Sequence, residues 1–331
     1  MSSSNGAIEA SPVTYEQLIV LEHEFDDVET EIMRKQYEMT KPLYAKRKDF
    51  TDKIPNFWAL VFEQSPPELD QYITPSDSEL FAECLKGVSI ERFECAATPR
   101  SIALKLTFSE NEWFSDTVLE KKFHYRRSPD GWVGLVSEPV KINWKEGQDL
   151  TQGLTDAAVR AWDERKANLT ATVQQRLELP AHKALLEMVE KMDPTSVGFF
   201  ALFGFVSERV YVSADEAEKG NQAEQERRAA RARGDKVEEP EWNEDFEAEA
   251  EIEICPHGED LALVLADDVW PNAIKYFTAA QERDDEQMSE IEFEEDEDES
   301  DEEVDIRALV TGRSSKRKND DGDSPPPKRR T

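Results

Sequence analysis

Between Asp284 and Asp305 stand fifteen carboxylates and no base, and the densest part reads FEEDEDESDEEVD, Phe293 to Asp305. Acids so crowded say nothing about general acid–base work, because every carboxylate has a neighbour and no pair is singled out. What they do is repel one another, extend the chain and attract polycations over long range, an attraction that weakens as salt rises. Further on the sign reverses, with Lys316, Arg317 and Lys318 and then Lys328, Arg329 and Arg330, two clusters spaced like a bipartite nuclear-import signal. Ser300-Asp301-Glu302-Glu303 fits an acidophilic kinase, whose phosphate would add about −1.5 to −2 charges. The residues that could do harder chemistry are scattered. His23, His124, His182 and His257 lie far apart, and Cys255-Pro256-His257 supplies two ligands where a zinc site needs more. His124, flanked by Phe123 and Tyr125, reads as a packing or surface residue. Neither a phosphate-binding glycine loop nor a GxSxG elbow is present. No metal, cofactor or catalytic residue is assigned, and the chain reads as a binding protein rather than an enzyme.

The acid is not confined to the tail. The 331 residues carry a formal charge of −33, of which residues 282–331, with 19 acids and 9 bases, supply only −10. A body this acidic repels nucleic acid and anionic membrane. It either keeps the protein soluble or offers a surface to a basic partner. No stretch approaches the ~20 apolar residues of a membrane span, and MSSSNGAIEASP lacks the features of a signal peptide. Cys84, Cys95 and Cys255, odd in number and widely spaced, fit a reducing compartment.

The elements that must position this charge follow from periodicity. After a flexible leader over 1–13, Leu18, Leu21, Phe25, Val28, Ile32, Met39, Leu43 and Phe50 recur at three- and four-residue spacing, with Thr14 as N-cap and Ile54-Pro55 as the stop. A helix over 14–54 would be roughly 60 Å long, too long for one domain to cover. Either it pairs with a second copy, or it breaks at Pro42 into two helices packed on their own domain. A mixed α+β domain follows over 55–280. SIALKLTFS (101–109) alternates cleanly, VLEKKFHYR (118–126) and VKINW (140–144) read as further strands, and VSIERFECA (88–96) reads as a weaker one. The links, SPDGWVGLVSEP among them, are turn-like and short, which predicts an antiparallel meander. Residues 149–192 are helical in composition with a break at Pro180, and SVGFFALFGFV (196–206) reads as core or interface. Residues 213–251 are so charged that they read as an excursion, solvated helix or disorder, whose basic centre ERRAARARGDK mainly faces solvent but could contact DNA or the molecule's own acid. Helices over 259–280 close the body, and order is expected to end at Gln281.

Taken in order, KPLYAKRKDFTDKIPNFWALVF (41–62), LKLTFSENEWFSDTVLEKKFHY (104–125), INWKEGQDLT (142–151), FFALF (199–203) and DDVWPNAIKYF (267–277), with the acid tail behind them, resemble the nucleosome assembly protein family and its SET-like branch of histone chaperones. The resemblance implies a continuous dimerisation helix over 14–54, kinked near Pro42, with Leu18, Leu21, Phe25, Val28, Ile32, Met39, Leu43 and Phe50 at the homodimer interface. Behind it stands an antiparallel sheet covered by helices. The implied activity is non-enzymatic: binding core histones through acid, preventing histone–DNA aggregation and assisting nucleosome assembly without ATP. The matching acids are Glu110, Glu112, Asp267 and Asp268, joined in the tail by Glu294, Glu295, Asp296, Glu297, Asp298, Glu299, Asp301, Glu302 and Glu303. Implied partners are core histones and an import receptor, with a nuclear location that allows shuttling to the cytoplasm and no sequence-specific DNA binding. The other reading is an acidic adaptor of a histone acetyltransferase or a phosphatase. Residues 152–192 and 207–257 are longer than the branch pattern.

Overall fold

The computed structural model describes residues 13–168, 173–193, 198–237 and 251–294; of 173–174 and 284–294 it describes the backbone alone. Met1–Arg283 contains one compact unit, and a second begins at Asp284. The first element is a single helix, α1, Tyr15–Thr51, 37 residues long and about 55 Å at 1.5 Å per residue. Thr14 opens it with a reciprocal capping box: its hydroxyl accepts from the Gln17 amide at 3.3 Å, and the Gln17 side chain accepts from the Thr14 amide at 3.0 Å. The helix continues through Pro42 without a break. The ring costs one backbone bond there, and the surrounding Met, Lys, Leu, Ala and Arg are strong helix formers that hold the turn on either side.

Three short helices lead into the body: α2 (Phe57–Glu63), α3 (Pro67–Asp70) and α4 (Pro75–Cys84). The sheet follows as an antiparallel meander in the order β1 (Leu85–Glu91), β2 (Ile102–Phe108), β3 (Val118–Arg127), β4 (Val133–Ser137). Alternation sets its faces. Ile102, Leu104, Leu106 and Phe108 of β2 are buried, as are Leu119 and Phe123 of β3. The same alternation carries Lys121 of β3 into the core.

The fourth strand differs from the sequence expectation. VKINW is not a strand; only Trp144 forms a bridge, with Phe114. Pro139 precedes it, the Val140 amide donates to the Phe203 carbonyl at 2.8 Å, and Asn143 is held by Asp116. Two backbone donors of VKINW, Val140 and Asn143, are thus engaged off the sheet. GLVS, inside the segment read as a turn, supplies β4 instead, with Leu135 and Val136 buried. The register Phe123↔Ser137, His124↔Val136, Tyr125↔Leu135 ties it to β3.

Helices α5 (Leu154–Ala167), α6 (Val173–Leu177) and α7 (Pro180–Lys191) then cover the sheet, with Pro180 opening α7 at a position where its missing N–H costs nothing. The apolar stretch forms a buried 3-10 turn, Phe199–Gly204. Phe200 lies within ring contact of Phe81, Phe108, Phe114, Trp144, Phe199 and Phe203. Asp77 of α4 fastens this turn, accepting from the Thr74 hydroxyl and amide and from the Phe199 amide at 3.1 Å.

The charged excursion is, over its described part, a docked helix: α8, Ala214–Ala232, opened by a Ser213–Glu216 capping box. Its Gly220 passes so close to the Arg127 and Ser128 carbonyls that a Cβ would sit 2.5–2.9 Å from that backbone. The chain closes with α9 (Gly258–Val264), a wide π turn over Leu265–Val269, and α10 (Trp270–Glu294). The last helix therefore runs past Gln281, where the sequence predicts the end of order. The extension is rich in Gln, Glu, Arg and Met, all good helix formers.

Candidate functional site

The first feature is the bare side of α1. Leu18, Leu21, Phe25, Val28, Ile32, Met39, Leu43 and Phe50 are between 48% and 74% exposed. Leu18, Phe25, Ile32 and Met39 fall at seven-residue intervals, the repeat that keeps a seam facing a second helix. Val28, Ile32 and Met39, with the stems of Lys35 and Gln36, line an open apolar trough. Elsewhere α1 is tied to its own body: Arg34 Nε donates to the Cys95 carbonyl at 3.1 Å, and α8 lies against the N-terminal end.

The second feature is the joint between rod and body. Arg47, near the C-terminal end of α1, is buried. Its guanidinium sits 4.0 Å from the Trp270 ring centroid, 4.9 Å from Tyr44 and 5.6 Å from Trp58, and it donates to the Trp270 carbonyl. Trp58 stacks on Trp270 at 5.6 Å with 9° between planes, and Phe57 stacks on Phe277 at 4.9 Å. Burial pushes the Arg47 pKa down to about 10, so it still carries its charge at neutral pH. IPNFW and DDVWPNAIKYF are thus the two halves of one aromatic clasp around a cation.

The acids named from the sequence sit in two places. Glu110 and Glu112 project from the β2–β3 loop and are exposed. Between them the buried Asn111 turns inward, where its Oδ1 accepts from the Trp113 and Phe114 amides at 3.0 and 2.9 Å. That inward turn fixes the two carboxylates outward. Asp267 and Asp268 lie on the π turn. Asp267 is exposed and pairs with Arg92; Asp268 accepts from Asn272 Nδ2 and from the Tyr276 hydroxyl, each at 2.8 Å. The Tyr276 phenol is held up at about 12 by burial and by that bond. Each Asp268 carboxylate oxygen therefore already accepts one bond from α10. Glu294 ends α10 on the described backbone. Glu295, Asp296, Glu297, Asp298, Glu299, Asp301, Glu302, Glu303 and the basic clusters at 316–318 and 328–330 lie outside the described residues.

Sequence reasoning passed over several groups. Arg47 looks like any helix arginine; its spacing from Tyr44 was the available signal. Lys121 is fully buried, and its Nζ donates to the carbonyls of Glu138, Phe203 and Phe205 at 2.9, 3.2 and 2.8 Å. Burial lowers its pKa well below the ordinary lysine value. A second acidic spot gathers Glu208, His257 and Asp260, exposed side chains whose ligand-capable atoms lie within 4.8 Å of one another. Cys255 does not join them: it is buried, and burial pushes its thiol up to about 12.

A rod with a bare heptad seam, clasped to a sheet-and-helix body of high negative charge, defines an acidic scaffold protein. Residues 9–280 match the family described as Nucleosome assembly protein (NAP), and the chain belongs to that family. It is similar to a Schizosaccharomyces pombe protein named for nucleosome assembly, 30% identical over 295 residues, covering 85% of this chain and 86% of that one. It is similar also to Protein SET of Drosophila melanogaster, 29% identical over 160 residues, covering 45% of this chain and 57% of the relative. Among solved structures it is similar to the crystal structure of Ccp1, 28% identical, covering 81% of this chain and 95% of the other, with a TM-score of 0.47.

Proposed function

We propose that this protein is a homodimeric histone chaperone that shields core histones and passes them to DNA without catalysis. The observation that carries the reading is membership of the nucleosome assembly protein family over residues 9–280, in a chain whose formal charge is −33, most of it before residue 282.

Histones and DNA at low salt aggregate because phosphate contacts release counterions and supply non-specific affinity. A carboxylate surface competes for the same lysines and arginines with lower charge density than duplex DNA, which carries a charge every ~1.7 Å. It therefore blocks disordered contacts and yields when the ordered particle becomes available. No energy source is needed, only intermediate affinity. Glu110 and Glu112, held outward by Asn111, belong to the folded surface that selects histones, with Asp267 at its edge. The acidic run 294–303 adds affinity as a second group of carboxylates on the same chain, which raises its effective concentration for a bound partner. Pairing of two rods through Leu18, Leu21, Phe25, Val28, Ile32, Met39, Leu43 and Phe50 covers the bare seam and sets two bodies at a fixed separation. Residues 313–331 direct the protein to the nucleus.

The test is sedimentation of the purified full chain, alone and with each core-histone pair in turn, at about 0.1 M and 0.5 M salt. The expected result is a dimer that binds histones stoichiometrically, with affinity falling as salt rises. A monomer that ignores histones at low salt would overturn the reading.

A further inference from the structure

Helix α8 has two unlike halves. The first is packed: Ala217 is buried with Val136 and Val212, and Gly220 lies on the Arg127–Ser128 backbone. The second half, residues 225–233, reads QERRAARAR, with four arginines and one acid, and it buries no apolar side chain. It lies against the start of α1, where Glu16 to Glu31 hold seven carboxylates and neither Lys nor Arg. Two ion pairs make the contact, Arg231 Nε to Glu16 Oε2 and Arg228 Nη1 to Asp27 Oδ1, each at 3.0 Å, and just before this half His23 Nε2 lies 3.5 Å from Glu224 Oε1. Glu16 also accepts from the Val237 amide at 3.4 Å. One spot is poorly matched, because His23 Nδ1 is buried without a hydrogen-bond partner among the described residues.

We infer that the basic half of α8 is a built-in competitor: it occupies an acidic docking stretch on α1, and a lysine- and arginine-rich protein binds that stretch by displacing it. The chemistry on the page favours exchange over a permanent brace. The half that touches acid contributes cations and small alanines, whereas the half that anchors the helix contributes the buried packing. In the Arg228–Asp27 pair the carboxylate is exposed and the arginine partly so, and such pairs are individually weak and weaken further with salt. The Arg231–Glu16 pair is shielded, so Glu16 gives up its arginine only to another cation that takes its place. A segment held in this way opens at modest cost while the rest of the helix stays docked. An incoming chain with many cations replaces Arg228 and Arg231 like for like. The cost of opening is subtracted from the partner's affinity, so the device makes binding weaker and more selective for partners of high cation density.

This inference rests on the reading of the protein as a histone binder, and the experiment separates the two. Amide hydrogen exchange on the full chain, with and without purified core histones at about 0.1 M salt, is expected to show lost protection over 225–233 and retained protection over 214–221. Arg228→Glu is expected to tighten histone binding by roughly three- to tenfold, a range set by the weakness of such ion pairs. Lys86→Glu, at an exposed position on β1, makes the same charge change away from α8 and is expected to give a smaller gain. Histone binding that leaves 225–233 protected, or an Arg228→Glu gain no larger than that of Lys86→Glu, overturns the competitor while leaving the chaperone standing. Failure of the wild type to bind histones overturns both. If Arg228→Glu misfolds by circular dichroism, the exchange on the wild type decides alone.

Discussion

Ile32→Glu is the sharpest perturbation of the rod. Ile32 is 59% exposed at the middle of the bare seam, beside the trough formed with Val28 and Met39. Full burial of an isoleucine is worth about 1.5–3 kcal/mol, so covering the exposed fraction is worth ~1–2 kcal/mol. In a symmetric pair each substitution counts twice, giving ~2–4 kcal/mol from lost burial alone. The glutamate then places a carboxylate in an apolar seam on both copies, and the desolvation adds at least about 1 kcal/mol more. At 1.4 kcal/mol per decade, the dimer dissociation constant should rise by a factor of at least about 10². Folding of the body should survive, because the core, the Arg47 clasp and the Arg34–Cys95 bond do not involve Ile32. Sedimentation equilibrium at micromolar protein, with near-ultraviolet circular dichroism as the fold control, reads both quantities. A folded Ile32→Glu protein that dimerises within tenfold of wild type would refute the argument that this seam joins two copies.

Three further outcomes follow from buried groups. Arg47→Ala removes the cation from three aromatic rings and the side-chain donor from the Trp270 carbonyl; a loss of about 2–4 kcal/mol in denaturant unfolding is expected, and Arg47→Lys should restore only part of it because an ammonium lacks the planar fork. Lys121→Ala leaves a cavity and strips the Phe205 carbonyl of its 2.8 Å donor, with an expected cost of about 3–5 kcal/mol; Lys121→Met, which refills the volume, should cost less. Glu259 is half-buried, and burial raises its carboxyl to about 7, helped by Glu208 and Asp260. Its contribution to stability is then fully present below pH ~4.5 and lost as pH rises through about 7. Glu259→Gln should therefore raise the melting temperature at pH 8 and leave it nearly unchanged at pH 5, by an amount worth about 1–2 kcal/mol after discounting for its partial exposure.

Helix was legible over the rod from its recurring three- and four-residue spacing, and the capping box at Thr14 marks its start, but its continuity through Pro42 came from the family resemblance and not from periodicity. β2 and β3 were legible for a similar reason: SIALKLTFS and VLEKKFHYR alternate, and one face of each is buried; β1 was legible only in part, since VSIERFECA (88–96) was the expected strand and Leu85–Glu91 is the one that forms. β4 was not legible. GLVS is short, almost wholly buried and embedded among Pro, Asp and Gly, so it shows neither alternation nor length, while VKINW shows strand composition but has two of its amides engaged elsewhere. The docked position of α8 was hidden for a different reason. Its anchoring residues are Ala217 and Gly220, which leave no hydrophobic signature, and its long-range partners on α1 are some two hundred residues away in sequence. Lys121 shows the limit of binary patterning: the period puts it inward, but only the three carbonyls converging from Glu138, Phe203 and Phe205 explain why a lysine is tolerated there.

The candidate acids divide by how much of their charge remains available, and that division matters more than their number. Asp268 is engaged by Asn272 and Tyr276, one on each oxygen, Asp267 is paired with Arg92, and Glu16 and Asp27 are paired with Arg231 and Arg228. Glu110 and Glu112 stand on a loop whose polar contacts are made by Asn111 and the backbone. A basic partner meeting this surface finds some carboxylates open, some guarded by an arginine that must first leave, and some committed to the fold. Each guarded pair weakens binding to an isolated cation far more than binding to a cation-rich chain, because only the latter replaces the departing arginine and still has charge left for the open sites. Under the proposed function, a surface organised in this way would discriminate histones from ordinary basic proteins by cation density rather than by sequence. Asp268→Asn should accordingly leave histone affinity unchanged, whereas Glu110→Gln with Glu112→Gln should reduce both the affinity and its dependence on salt.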